Sequence, residues 1–293
     1  LAELVRQSVT DQAAALGRAL PALLIDANRI ADTVLQGTHG RRRVGLGESF
    51  WQFRQYAQGD SAHRIDWRQS AKTQKLYVRE TEWEAAHSLW LWRDATPSMD
   101  YASAKGLPTK REMADLLLLS LATLALRGGE RVGILQGEPA PPATTPAGLQ
   151  RLTERLAGAA DPADDLPPRQ DLKRYSTVVL FGDFLGPVER IAAAVERLSG
   201  QDIRGMIVQV LDPAEIVLPF SGRVRFEGSE GEASELAPRA ERLRADYRAR
   251  LAAQQKALER IATRAGWGVM LARTDQPPLQ PLIRLHATLS GEV

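Results

Sequence analysis

A carboxylate and two hydroxyls alternate in Asp94-Ala95-Thr96-Pro97-Ser98, directly after the apolar run Ser88-Leu89-Trp90-Leu91-Trp92. On the turn leaving a buried strand, this spacing lets Asp94, Thr96 and Ser98 offer three oxygen ligands to one point. Hard oxygen donors in a near-octahedral array, completed by water, are what Mg²⁺ takes. The same residues also suit a strand end followed by an ordinary Ser/Thr helix cap. A second carboxylate, Asp183, follows the apolar run Val178-Val179-Leu180-Phe181, and Thr144 and Thr145 lie in a loop region that could add a further hydroxyl.

What must position these groups is a sheet. Apolar runs at 88–93, 131–136, 177–182 and 205–211 alternate with helical patterns at 108–127, 147–158 and 187–198. Strands apolar at nearly every position, separated by helices, predict a mainly parallel sheet covered on both faces, a doubly wound α/β fold. In such sheets ligands bind outside the carboxyl ends of the strands. Asp94 and Asp183 both follow strands there, so two acidic loops on one rim could share a cation.

The flanking regions differ in character. Residues 1–36 read as an N-terminal helical segment broken at Pro21, and 37–84 as a Gly-rich, charged, aromatic-bearing β-element. Residues 85–293 form the α/β domain. Its C-terminal part predicts a short hairpin over 216–226 turning at Ser221-Gly222 and a charged helix over 235–265 ended by Gly266. A final strand at 267–271 and a turn at 277–281 complete it.

Composition narrows the function classes. The 293 residues are 44% hydrophobic and 25% charged, ordinary for a soluble globular protein with a substantial core. There is no cysteine, which excludes disulfides, thiolate metal sites and cysteine nucleophiles. The longest apolar stretch, 114–126, contains Asp115 and is shorter than the ~20 residues of a spanning helix. The net charge of +2 is too small to point to nucleic acid. The chain starts at Leu1 rather than Met, which leaves open a leader upstream of it.

The middle of the chain resembles a von Willebrand factor A domain with a metal-ion-dependent adhesion site, patterned Asp-x-Ser-x-Ser with a distant Thr and a distant Asp. Asp94, Ser98 and Asp183 match directly, Thr96 keeps the hydroxyl of a Ser, and Thr144 or Thr145 stands for the distant Thr. The preceding segment resembles the DUF58 family. Gly45-Leu46-Gly47-Glu48-Ser49-Phe50, Arg54-Gln55-Tyr56-Ala57-Gln58-Gly59-Asp60, Arg64-Ile65-Asp66-Trp67, Ser70-Ala71-Lys72 and Leu76-Tyr77-Val78-Arg79-Glu80 carry that resemblance and run in register into the Asp94 motif. The resemblance implies a von Willebrand factor A-like, Rossmann-type domain with an N-terminal helical and small β appendage. It also implies a MoxR-type AAA+ ATPase as partner, in a bacterial, chaperone-like assembly or maturation system. The expected place is the cytoplasm, or the periphery of the inner membrane.

Arg54, Arg64 and Arg79 are fork-shaped donors, with Asp60, Asp66 and Glu80 nearby as carboxylates. The plain reading is a charged network holding a small β-element to the sheet, with Trp67, Tyr56 and Phe53 packed beneath. The alternative is an interaction surface. Residues 37–80 hold nine Lys/Arg against four Asp/Glu, densest at Arg41-Arg42-Arg43. Tyr56 and Trp67 could serve nucleic-acid stacking beside that patch, but short basic runs more often stay solvated or meet acidic surfaces, so nucleic acid is disfavoured.

Catalysis finds little support. Phosphate-loop, His-Glu-x-x-His and Gly-x-Ser-x-Gly patterns are absent, and His39, His63, His87 and His286 are scattered. One enzyme reading survives, Asp94 as a phosphoryl acceptor with Asp183 holding Mg²⁺, but Thr96 stands where such phosphatases carry an acid/base Asp. The sequence therefore predicts a non-enzymatic interaction module in which Mg²⁺ at Asp94, Thr96, Ser98 and Asp183 binds a partner's carboxylate. The competing expectation is a metal-free docking scaffold.

Overall fold

The computed structural model describes residues 27–31, 33–34, 50–55, 65, 67–72, 75–81, 88–158, 165–228 and 234–290. Its centre is a five-stranded sheet in the order β4-β3-β5-β6-β9, parallel at every pairing. The strands are β3 (Ser88–Arg93), β4 (Arg131–Ile134), β5 (Thr177–Gly182), β6 (Arg204–Leu211) and β9 (Gly268–Arg273). The earlier β1 (Phe50–Gln55) and β2 (Tyr77–Thr81) pair antiparallel as a separate ribbon, with the one-turn helix α1 (Trp67–Ser70) between them.

Alternate strand residues feed two cores, as the pleat requires. Leu89, Leu91, Val179, Phe181, Val208 and Val210 face α2 (Lys110–Arg127), α3 (Leu149–Gly158) and α7 (Leu279–Leu289). Trp90, Trp92, Val178, Leu180 and Ile207 face α4 (Val188–Ser199) and α6 (Arg244–Ala265). The doubly wound α/β architecture expected from the strand pattern is thus present. Room for the tryptophans comes from missing side chains: a Cβ at Gly133, directly across from Trp90, would lie 2.4 Å from its indole.

Helix α2 is the central brace. Thr109 caps it in a capping box with Glu112, and Gly128 closes it. Its apolar residues are buried nearly all round because β3, β4, β5 and β6 lie on one side and α7 on the other. The helical residues 27–31 and 33–34 add Ala27, Ala31 and Val34 to the same core, and Arg127 donates to Asn28 at 3.2 Å. Among the described residues no helix is long and apolar enough to cross a membrane.

Four local expectations change. Residues 213–217 are helical (α5, Pro213–Val217) rather than the first arm of a hairpin. Asp212 caps this turn through the Ala214 amide, Glu215 returns a bond to the Asp212 amide, and Pro213 occupies the first position. The hairpin instead joins β7 (Val224–Phe226) to β8 (Glu235–Ala237), so the charged helix begins at Arg244 and not at 235. Helix α7 occupies the place of the expected turn; Pro281 lies in its first turn, where proline costs no hydrogen bond, and Leu282 and Leu285 are buried. Trp67 is 65% exposed rather than packed beneath the ribbon; Ser70 is the buried residue of α1, its hydroxyl accepting from the Tyr77 amide at 2.9 Å.

Candidate functional site

The order of the strands reverses at β3. The chain leaves β3 for β4 on one side and returns to β5 on the other, and this switch opens a crevice at the carboxyl ends of β3 and β5. Asp94 and Asp183 are the residues immediately beyond those two strands. The Asp94 amide donates to the Phe181 carbonyl at 2.8 Å, so the two loops leave the sheet in contact.

A chain of oxygens then bridges the crevice. Asp94 Oδ1 accepts from the Thr96 amide at 2.8 Å and from Thr96 Oγ1 at 2.7 Å. Thr96 Oγ1 and Ser98 Oγ are 2.9 Å apart, and Ser98 Oγ donates to Asp183 Oδ2 at 2.8 Å. Each hydroxyl has one hydrogen. With Thr96 giving its hydrogen to Asp94 and Ser98 giving its own to Asp183, the two hydroxyl oxygens face each other through lone pairs alone. Adjacent ligands of an octahedron with bonds of about 2.1 Å lie about 3 Å apart, close to the spacing of these oxygens. Among the described residues no three His, Cys, Asp or Glu gather as a metal cluster, so a cation here depends on the Thr96 and Ser98 hydroxyls. The donor set fits a small hard divalent ion.

Thr144 and Thr145 do not join the site. Ala143 pairs antiparallel with Val132, which lies opposite Leu89, so the chain at 144–145 runs toward the amino ends of the strands. Both threonines are exposed at the end of the sheet away from Asp94. In the signature block, Arg54 stands across from Val78, Arg79 from Phe53 and Glu80 from Gln52 in the β1–β2 ribbon. Asp60, Arg64 and Asp66 lie outside the described residues.

Several residues that hold the site carry no motif in the sequence. Lys110, buried at the first turn of α2, places Nζ 2.8 Å from Asp183 Oδ2 and 2.6 Å from Glu215 Oε1. Burial opposes its ammonium, yet the pull of Asp183 and Glu215 is greater and its pKa is raised. Burial also pushes the Glu215 carboxyl up, against the pull of Lys110. Tyr247 beside this group is pushed up to about 12, by burial first and then by Glu215. Arg111 clasps the Ala95 and Thr96 carbonyls, both at 3.1 Å, while pairing with Asp100. On the other loop, Gln209 donates to the Asp183 carbonyl at 2.9 Å and Gln254 to the Phe184 carbonyl at 2.8 Å. Phe184 sits at φ 49°, in the left-handed region that non-glycine residues rarely enter.

Arg93, next to Asp94 in sequence, points to the opposite face. Its Nε lies 2.7 Å from Asp115 on α2, off the N–H axis, so the contact is one of charges. Its Nη groups donate to the Asp94 and Leu156 carbonyls. Burial pushes the Asp115 carboxyl up, opposed by Arg93, while burial lowers Arg93 itself. The guanidinium is therefore neutralised away from the crevice and leaves the oxygen chain to Asp94, Thr96, Ser98 and Asp183.

Residues 52–257 match the family described as "Protein of unknown function DUF58". The chain belongs to the DUF58 family. Curated relatives include the uncharacterized protein Rv1480 of Mycobacterium tuberculosis H37Rv and the uncharacterized protein Mb1516 of Mycobacterium bovis. Each is 27% identical over 287 residues, spanning 93% of this chain and 89% of the relative. Among solved structures, a conserved hypothetical protein BatB from Bacteroides thetaiotaomicron aligns with 70% of this DUF58 chain and 99% of its own, at 10% identity and a TM-score of 0.38.

Proposed function

We propose that this DUF58 protein is a non-enzymatic protein-interaction module whose binding point is the crevice between β3 and β5. Asp94, Thr96, Ser98 and Asp183 would hold a magnesium ion there. Such an ion, when bound, supplies an open coordination position for an Asp or Glu carboxylate of a partner protein. The observation that carries this reading is the 2.9 Å approach of the Thr96 and Ser98 oxygens within a chain that ends on two carboxylates. Arg111 and Gln209 keep the two loops in place, so the oxygens are arranged before any partner arrives. Resemblance to von Willebrand factor A domains supports the adhesion-type reading, and the DUF58 resemblance proposes a MoxR-type AAA+ ATPase as the partner, in protein-complex assembly or maturation.

Phosphoryl transfer is the weaker chemistry. Thr96 stands where an acid/base carboxylate would be needed, and its hydroxyl is turned onto Asp94. A metal-free docking scaffold is the second reading, and Lys110 favours it, because its ammonium already brings a positive charge to Asp183.

Isothermal titration of Mg²⁺ into the protein and into Asp94→Ala tests the site. Pulldown of a MoxR-type ATPase from the native cell, in Mg²⁺ or in EDTA, tests the partner. The expected results are heat with the wild type alone and capture only in Mg²⁺. Equal heats for both proteins, or none, would remove the metal site, and capture indifferent to EDTA and to Asp94→Ala would favour the scaffold.

A further inference from the structure

Lys110 occupies a costly position twice over. It is the first residue of α2, where the helix dipole disfavours a cation, and its side chain is 1% exposed. What offsets both costs is a pair of carboxylates from two other loops, Asp183 beyond β5 and Glu215 in α5. Asp183 Oδ2 is thereby shared. It accepts from Ser98 Oγ at 2.8 Å on the crevice side and from Lys110 Nζ at 2.8 Å on the helix side.

Resting on the magnesium reading above, we propose that the Lys110 ammonium is a built-in competitor for that cation. It neutralises Asp183 when no divalent ion is bound and passes wholly to Glu215 when one is. The same Asp183 oxygen cannot serve a divalent cation and an ammonium at full strength, since the two positive charges would stand within a few ångströms of each other at low dielectric. Glu215 is the natural receiver. It is already 2.6 Å from Nζ, and its other oxygen is fixed by the Asp212 amide, so it needs no rearrangement to take the charge. Asp212 is in turn fully buried and accepts from the Ser103 amide at 2.9 Å, which ties α5 to the loop following the oxygen chain. Occupancy of the crevice is therefore felt at α5 through one side chain. Lys110 acts here as a positioning residue, setting the affinity of the site and linking it to α5.

The test is Mg²⁺ titration calorimetry on the full chain and on Lys110→Met, Glu215→Gln and the double variant. Lys110→Met removes the competitor and is expected to tighten Mg²⁺ binding by about tenfold. Glu215→Gln leaves the ammonium with Asp183 as its one carboxylate and is expected to weaken binding several-fold. In the Lys110→Met background the Glu215→Gln change should lose most of its effect, because the two act through the same contact. Binding by Lys110→Met that is tighter where the wild type binds only weakly also supports the proposal. Wild-type binding that neither single change alters overturns it while leaving the magnesium site standing, as do strictly additive effects, which would mean general charge alone. Absence of heat from every protein overturns both readings. If Lys110→Met fails to fold, Lys110→Gln takes its place in the cycle: an effect of Glu215→Gln that vanishes in that background supports the competitor, and one that persists overturns it.

Discussion

The Thr96 and Ser98 hydroxyl oxygens stand 2.9 Å apart while each is also within hydrogen-bond reach of a different carboxylate. With two hydrogens for three contacts, the centre of this chain is short of a proton. Thr96→Val keeps the shape and deletes one oxygen, so it should weaken Mg²⁺ binding at least about tenfold, whereas Thr96→Ser keeps the oxygen and should stay within about twofold. Calorimetry on the pair checks this. Equal affinity for the Val and Ser variants would mean that the Thr96 oxygen is not a ligand.

The close packing of the two loops predicts a second effect. A Cβ at Gly182 would lie 3.1 Å from Asp94 Cβ and 3.4 Å from Asp94 Oδ2 and the Phe184 ring. Gly182→Ala must push Asp94 or Phe184, at a cost of about 1–3 kcal/mol. Mg²⁺ affinity should fall with it, because two of the three atoms nearest that Cβ belong to Asp94. Gly158, the last residue of α3, whose added Cβ meets nothing within 4 Å, provides a clash-free comparison as Gly158→Ala, expected to leave stability unchanged or slightly raised. Urea denaturation of both variants reads the difference, and equal stabilities would show that the Asp94 loop yields freely.

Much of this arrangement is legible in the residues themselves. Runs such as Val178-Val179-Leu180-Phe181 are apolar on both faces, which a parallel sheet between two helix layers demands, and the strands stand where that pattern puts them. Asp94, Thr96, Ser98 and Asp183 meet because loops at one rim of such a sheet converge. Thr144 and Thr145 do not, because the antiparallel bridge of Ala143 to Val132 carries the chain to the other end, and a single bridge leaves no periodicity to read. Lys110 and Glu215 are invisible for a different reason. A lysine at a helix start and a glutamate in a capping box look like ordinary surface residues until the fold brings them onto Asp183. Helix α5 escapes notice since Asp212-Pro213-Ala214-Glu215 spans too few residues to show a 3.6 period, although its cap and first-position proline follow the usual rule.

The pair formed by Arg93 and Asp115 predicts a stability effect separate from the site. Their side chains are 1% and 3% exposed. Asp115→Ala would strand a buried guanidinium and is expected to cost about 3–5 kcal/mol. Arg93→Met together with Asp115→Leu removes both charges and should recover part of that loss, leaving the cost of the Asp94 and Leu156 carbonyls that Arg93 no longer serves. A loss below about 1 kcal/mol for Asp115→Ala, measured in urea, would mean that water reaches Arg93 and that the pair is not a closed one.

Lys110 predicts how stability responds to base. Burial opposes its charge, but Asp183 and Glu215 outweigh burial and hold its pKa above the ordinary value of 10.5. The folded protein therefore binds this proton more tightly than the unfolded chain does. The stability that Lys110 adds is complete below 10.5 and is lost as the pH climbs through the folded value above it. The difference in unfolding free energy between wild type and Lys110→Met should then hold steady from about pH 7 to about pH 9 and narrow above about pH 10.5. Denaturant titrations at neutral, mildly alkaline and strongly alkaline pH read it directly. A wild-type advantage that instead grows between neutral pH and about pH 9 would mean that burial, not the two carboxylates, governs this lysine, since a desolvated ammonium gives up its proton early in the folded protein and stability then rises with pH.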